Sequence, residues 1–387
     1  MPAADSPQPG EPQVRLAELI GTLSLATDLG TAQPFEHAMR TCILAMRLGE
    51  ALGLPENGLG EIYYVALLRM IGCTADAHVV AAVLGDELAA RAWLARAETG
   101  NPASVLSALV RHLGEGNPPL RWARMVATAL AGLPRLVATG AAHCEVAQLL
   151  AGRLGFGEQI QTALGQVFER WDGRGVPNGL RHEQIAWSVR VVQLAQDAIV
   201  AERIGGIEAA VATARQRAGG AYDPQMVEPF CREAQHLFSD AAGGSTWDAV
   251  LAIEPGAHAH LSSVQLDDAL AAVADFVDLK SPVLSGHSRS VAELAAAAAK
   301  ACRLAPTEVL AVRRAGLLHD VGRVGVTAAI WGHSGAAFGC GVGAGSASPV
   351  LHGARPAAAP GTGAARHAGG GPPRTQRWVR LPPRGHG

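Results

Sequence analysis

The sequence predicts an all-α fold, and two observations support this. Ala, Leu, Glu and Arg recur on apolar stripes at a spacing of about 3.6 residues, which is typical of amphipathic helices. Apolar runs rich in β-branched residues are few, and Pro or Gly stands at most boundaries between the periodic segments. The predicted helices cover 14–29, 34–53, 57–72, 78–98, 102–113, 119–131, 140–154, 157–170, 182–203, 205–218, 224–238, 262–278, 285–303 and 306–319.

Composition narrows the class of protein. A chain of 387 residues, 49% of them apolar, can bury a core in each of two or three domains. The net charge of −2 is too small to indicate binding to nucleic acid or to an anionic membrane. We therefore expect a cytoplasmic protein without membrane or DNA contact. A homodimer is compatible with the sequence. The six cysteines include no CxxC pair, which favours isolated thiols over a zinc site.

Turn-rich stretches divide the chain. The segment 240–245 and Glu254-Pro255-Gly256 indicate a boundary near 240–260, and a second boundary lies near 331. Residues 332–387 contain no Asp, Glu, Lys, Ile, Met, Asn or Tyr, so this segment can build neither a patterned core nor a charged surface. We therefore predict a disordered C-terminal tail, which is either a natural Gly/Ala/Pro segment or the product of a shifted translation frame.

The genetic code tests the frameshift interpretation. If each codon of the tail is read from its second base, the stretch that begins at Pro372 admits His-His-Glu-Arg. In the same frame, the stretch that begins at Ala336 admits a segment ending in Leu-His-Pro-Tyr. Two enzyme-like segments in one frame and in the right order favour a frameshift over a natural tail.

The candidate chemistry lies in 285–323. His319 and Asp320 follow an apolar helix, and together they offer an imidazole nitrogen and a carboxylate oxygen to a divalent metal. His287 lies at the start of the preceding helix, and Arg323 can hold a phosphate as a bidentate donor. This pattern suits hydrolysis of a phosphoester by water activated at a metal. The alternative is a helix-capping Asp beside an ordinary core histidine.

The string Leu317-Leu318-His319-Asp320-Val321-Gly322-Arg323, preceded by Gly286-His287-Ser288-Arg289, resembles the HD superfamily and specifically its HD-GYP branch. The resemblance implies an all-helical phosphohydrolase that binds metal ions, often iron or manganese, and hydrolyses cyclic di-GMP or related dinucleotides. It places His287, His319 and Asp320 on metal-ligand positions, with Asp320 and Arg323 catalytic and Arg323 contacting the phosphate. The later histidine ligands of the family exist only in the shifted frame.

The first part of the chain resembles a degenerate copy of the same domain. The segment 168–180 is similar to the closing motif of the family, but without its paired histidines. Arg69 and Met70 stand where the family carries its His-Asp pair. His37, His143 and Asp172 are possible relics of a site, and each can equally be an ordinary polar residue. We expect this copy to be a scaffold or sensor.

The predicted organisation is a pair of tandem HD-like helical bundles. A degenerate copy spans 14–240, a linker 241–260, the N-terminal part of a second copy 261–331, and a disordered, frameshifted tail 332–387. This order resembles actinobacterial HD-domain regulators that end in a LuxR-type helix-turn-helix, which is missing here. Two functions stay open: a truncated and impaired cyclic-dinucleotide phosphodiesterase whose metal is weakly held or absent, or a non-catalytic regulatory module that binds a ligand or partner.

Overall fold

The computed structural model describes residues 14–97, 102–114, 118–239 and 244–331. The predicted tail 332–387 lies outside these residues. Within them the prediction of an all-α fold is confirmed: there is no strand, and only two isolated bridges occur. The helices are α1 (Leu16–Gly30), α2 (His37–Ala51), α3 (Glu56–Leu68), α4 (Ala77–Leu84), α5 (Glu87–Leu94), α6 (Pro102–Gly114), α7 (Pro119–Arg153), α8 (Glu158–Leu164), α9 (Trp187–Arg217), α10 (Pro224–Leu237), α11 (Thr246–Ala252), α12 (Ser263–Asp278), α13 (His287–Ala301), α14 (Pro306–Leu318) and α15 (Ala328–Trp331).

The largest core lies where α2, α3 and α9 pack together, with α1, α10 and α12 around them. Their inward positions carry fully buried side chains such as Met39, Ile62 and Phe230. Removing this apolar surface from water is the main stabilising contribution to such a bundle. We call α1–α10 the first copy and α12–α15 the second copy.

Several predicted helix boundaries differ from the structure. The predicted helix 78–98 is two helices, because Gly85 adopts φ +87° and the Asp86 side chain then caps α5. The predicted helices 119–131 and 140–154 instead form the single element α7, which contains Pro134. The predicted helices 182–203 and 205–218 fall in α9, which kinks at Gly205 and Gly206. Glycine in these places permits either a break or a kink, and tertiary packing decides between them.

The two copies repeat each other at a constant offset of 250 positions, as between His37 and His287. Helices α2 and α13 both have 15 residues, and α3 and α14 both have 13. The residue before the first helix of each pair is left-handed, Glu36 at φ 69° and Gly286 at φ 75°. The helix pair α2–α3 therefore has the same lengths and the same left-handed start as the pair α13–α14.

A buried carboxylate joins the two copies. Glu87 at the start of α5 lies 3.0 Å from the ammonium of Lys280, which follows α12. Glu87 also accepts hydrogen bonds from the Thr327 hydroxyl at 2.6 Å and the Ala328 backbone at 2.8 Å. Lys280 in turn donates to the Val324 carbonyl at 2.5 Å. The turn after α14 is thus anchored on the first copy.

The segment predicted as a linker contains ordered contacts. Helix α11 lies inside 241–260, and its Val250 is buried against the core of the first copy. Glu254 pairs with Arg15 at 2.5 Å and accepts a hydrogen bond from Tyr64 at 2.8 Å. The connection between the copies is therefore packed along the first copy for much of its length.

Within the described ranges, no single helix has the length and apolar composition to cross a bilayer. The two halves of α7, Pro119–Leu136 and Ala138–Arg153, meet that requirement only as a pair and across a bend of 43°.

Candidate metal centre

His319 and Asp320 lie at the C-terminal end of α14, where the chain leaves the helix. The buried side chain of Leu317 anchors this end in the core. His319 Nδ1 donates a hydrogen bond to the Gly316 carbonyl at 2.8 Å. Because this bond places the proton on Nδ1, the lone pair is on Nε2, which lies 3.0 Å from Asp320 Oδ2.

His287 reaches the same point from the neighbouring helix. It is the first residue of α13, and its Nε2 lies 3.3 Å from Asp320 Oδ2. The buried carboxylate of Asp278 fixes this helix end, because it accepts the Ser288 backbone N–H at 2.9 Å and the Ser288 hydroxyl at 2.7 Å. Sequence reasoning missed Asp278 as a positioning residue. The sequence feature that could have indicated this role is Asp28, which stands 250 positions earlier, near the end of α1.

One ligand atom from each of His287, His319 and Asp320 lies within 4.8 Å of the others. This is the one such group in the part of the chain that the structure describes. Asp320 Oδ2 is enclosed. Side-chain nitrogens lie within 3.3 Å of this oxygen, but none of them is aligned for a hydrogen bond to it. Two imidazole nitrogens and an enclosed carboxylate oxygen without a hydrogen bond form a donor set that fits a divalent cation. The partly exposed imidazoles leave one side of the cluster open to a substrate.

Arg323 is the fourth member of the cluster. Its Nη1 lies 2.8 Å from Asp320 Oδ2, and both side chains are mostly enclosed. A guanidinium there neutralises the carboxylate that a metal would use, so the two cations compete for Asp320. The structure therefore brings together all four residues that the sequence predicts for the second copy.

The corresponding site of the first copy has different chemistry. Arg69 and Met70 follow α3 as His319 and Asp320 follow α14, so the metal-ligand pair is absent at that position. His37 begins α2 as predicted and is buried, and burial lowers the pKa of its imidazole to about 4. The nearby charges of Arg203, Arg40 and Arg69 add to this effect.

His143 lies in the same region, with Nε2 3.1 Å from the Arg69 carbonyl, and burial lowers its pKa to about 4. Asp172 is bound elsewhere: it pairs with Arg170 at 2.9 Å and accepts the Arg174 backbone N–H at 3.0 Å. Of the three predicted relics, His37 and His143 line one cavity, whereas Asp172 stabilises the loop that resembles the closing motif.

Glu169 has a structural role in that loop that the sequence did not reveal. It is fully buried and accepts backbone N–H bonds from Asn178 at 2.7 Å and Leu180 at 2.9 Å. These two bonds fix the loop, in which the paired histidines of the family motif are absent.

Comparisons with known proteins agree with this geometry. The HD domain family matches residues 284–335, which include His287, His319 and Asp320. The chain is 28% identical over 326 residues to the 3′3′-cGAMP-specific phosphodiesterase 3 of Vibrio cholerae, covering 81% of this chain and 69% of that protein. The crystal structure of the cyclic GMP-AMP-specific phosphodiesterase V-cGAP3 of V. cholerae superimposes with a TM-score of 0.63 at 26% identity, covering 84% of this chain and 75% of that one. Residues 284–335 are therefore an HD domain, the family that the motifs around His287 and His319-Asp320 resemble.

Proposed function

We propose that the second copy is a metal-dependent phosphodiesterase domain that acts on cyclic dinucleotides. The observation that carries the proposal is the convergence of His287 Nε2 and His319 Nε2 on Asp320 Oδ2, at 3.3 and 3.0 Å. The similarity to a 3′3′-cGAMP-specific phosphodiesterase across 81% of the chain supports this substrate class.

Each residue of the cluster has a role in this proposal. His287, His319 and Asp320 would hold the metal, for which iron or manganese suits the mixed nitrogen and oxygen donors. When bound, such a metal activates water and withdraws charge from a phosphodiester. Arg323 would release Asp320 to the metal and turn its guanidinium to the substrate phosphate, where two parallel N–H donors match two phosphate oxygens.

The donor set among the described residues is small for a complete phosphodiesterase site. Three protein ligand atoms converge there, whereas a site that clamps a phosphoryl group with two metals draws on more. We therefore propose that this chain holds its metal weakly and is impaired as a catalyst. One observation favours the alternative of a non-catalytic regulatory module: the Arg323 guanidinium lies 2.8 Å from Asp320 Oδ2 and balances the charge of this carboxylate.

Metal content and hydrolysis, measured on the same preparation, test the proposal. The purified chain is titrated with Mn²⁺ or anaerobic Fe²⁺, and bound metal is measured at equilibrium without a desalting step. The hydrolysis of 3′3′-cGAMP and cyclic di-GMP is followed chromatographically with the same metal present. We expect metal binding and slow hydrolysis, both lost in His319→Ala. His236→Ala is the matched control, because His236 is exposed on α10.

The outcomes separate the two candidate functions. Metal that binds to the chain but not to His319→Ala, together with hydrolysis of either dinucleotide, supports the phosphodiesterase. Metal binding without hydrolysis supports the regulatory module. If the chain and His319→Ala bind the same small amount of metal, the metal centre itself is contradicted.

A further inference from the structure

The first copy contains a partly open cavity of about 430 Å³ at the position that corresponds to the metal centre of the second copy. One wall carries cationic and aromatic groups, with Arg69, His37 and His143 beside Phe168. A second group of lining side chains is apolar and belongs largely to one packed cluster. Its side chains include Leu84, Leu94, Leu109, Leu133 and Leu136. A cavity of this size with a few polar groups at one end is typical of a small-molecule site.

Arg69 is the distinctive group of this cavity. Its side chain is buried, with 6% of the residue exposed, and its Nε and Nη1 atoms have no hydrogen-bond partner. Leaving the donors of a buried cation without acceptors is costly. Burial accordingly lowers the pKa of the Arg69 guanidinium. An anion in the cavity would supply the missing acceptors.

The acidic side chains of the lining are already paired with other cations. Asp197 is bound by Arg217 at 2.8 Å and by the Tyr222 hydroxyl at 2.6 Å. Asp76 forms an ion pair with Arg91. The positive charge of Arg69 is therefore not cancelled by a carboxylate of its own, although the charge of Asp197 acts on it from a distance.

Two contacts hold Arg69 in place. The His143 imidazole donates to the Arg69 carbonyl at 3.1 Å, and the guanidinium carbon lies 6.0 Å from the centre of the Phe168 ring. Because burial keeps the His37 and His143 imidazoles neutral at pH 7, they do not compete with Arg69 for an anion. The Arg69 guanidinium is thus a buried hydrogen-bond donor in a cavity whose other lining residues are largely apolar.

We propose that this cavity binds a small organic anion, with a phosphate or carboxylate head on Arg69 and an apolar or aromatic body against the leucine wall. The cavity is separate from the metal centre of the second copy. It lies at the equivalent position of the first copy, where Arg69 and Met70 stand in place of the metal-ligand pair. Charge-assisted hydrogen bonds to the head give affinity for the acid, and burial of the body adds the apolar contribution.

Calorimetric titration of the full chain in EDTA tests this site. The probes are 1-naphthyl phosphate, 1-naphthoate and the uncharged 1-naphthalenemethanol. We expect at least one acid to bind at least about tenfold more tightly than the alcohol. The acid that binds more tightly identifies the head group. Arg69→Met should lose at least about tenfold in affinity for that acid and unfold at a higher temperature, because it removes a buried cation without acceptors.

Matched variants locate the binding. Leu109→Trp fills the apolar wall and should abolish binding without touching Arg69, so it also serves if Arg69→Met fails to fold. Arg232→Gln, at an exposed arginine of α10, and Arg323→Gln, in the metal centre, should bind the acid as the unchanged chain does. Absence of saturable binding by both acids up to about 1 mM overturns the proposal. Equal binding of the alcohol, or full affinity in both Arg69→Met and Leu109→Trp, also overturns it.

Discussion

Asp278 accepts two hydrogen bonds from Ser288, one from the backbone N–H at 2.9 Å and one from the hydroxyl at 2.7 Å. The first copy repeats the backbone contact, since Asp28 accepts the Ala38 N–H at 3.2 Å and 3.3 Å with its two oxygens. In both copies a carboxyl group near the end of one helix fixes the first turn of the next. The residue fixed in this way is His37 in the first copy and His287 in the second.

Asp278→Ala should lower the free energy of unfolding by about 2–3 kcal/mol, because it leaves the buried Ser288 donors without an acceptor. It should also weaken metal binding, since His287 is no longer held towards Asp320. Urea unfolding and metal titration measure the two effects. Asp268→Ala, on the exposed side of the same helix, should change stability by less than about 0.5 kcal/mol. Equal effects of the two substitutions would contradict the positioning role.

Arg323→Gln should bind Mn²⁺ about three- to tenfold more tightly than the unchanged chain. The substitution removes a cation 2.8 Å from the metal-binding oxygen, and a partly exposed ion pair contributes about 1 kcal/mol. Hydrolysis of the cyclic dinucleotide should fall at the same time, because the phosphate loses its guanidinium. Arg313→Gln, which removes a second-copy arginine paired with Asp267 and Glu293, should leave both properties unchanged. Weaker metal binding in Arg323→Gln would refute the competition between the two cations.

The matching helix pairs α2–α3 and α13–α14 predict that a metal centre can be built in the first copy. Arg69→His combined with Met70→Asp would place an imidazole and a carboxylate beside His37, on a frame whose helices match those of the second copy. We expect the double variant to bind about one additional Mn²⁺ or Zn²⁺ per chain. Adding His37→Ala should remove the extra ion, and an unchanged metal content in the double variant would show that the two frames are not equivalent.

Buried neutral histidines make the first copy sensitive to acid. The folded-state pKa values of His37 and His143 are lowered from 6.5 to about 4, so the unfolded chain binds protons first as the pH falls. Their contribution to stability is therefore complete above about pH 6.5 and is lost as the pH falls towards 4. His143→Gln should flatten the decline of unfolding free energy with pH, measured by urea unfolding between pH 7 and pH 4. His236→Gln, an exposed control, should not.

The composition of residues 332–387 yields a prediction about the gene. Sequencing across the codons for Trp331 to Gly335 and onward should reveal an open second frame that encodes a His-His-Glu segment. A chain made from that frame should bind more metal than the present one, because it supplies further histidine ligands. A second frame that closes at once would make the tail native and leave His287, His319 and Asp320 to act without those ligands.

The features that could be predicted from the sequence are those that depend on residues close together along the chain. The spacing of apolar residues predicts the helices, and the string around His319 and Asp320 predicts a metal cluster whose atoms do converge. Long-range pairing was not predictable in the same way. Nothing near Glu87 in the sequence indicates that its partner is Lys280, and no local signal shows that Arg69 lines a cavity. Such relationships depend on how the helices pack in three dimensions.

The Glu87 contact has a practical consequence for dividing the protein. Its carboxylate lies in the first copy, whereas Lys280, Thr327 and Ala328, which bind it, lie in or beside the second. Cutting the chain between the copies would therefore remove every hydrogen-bond partner of the Glu87 side chain and expose the surface that now covers it. The two copies are therefore best produced and studied as one chain, because each covers a polar surface of the other.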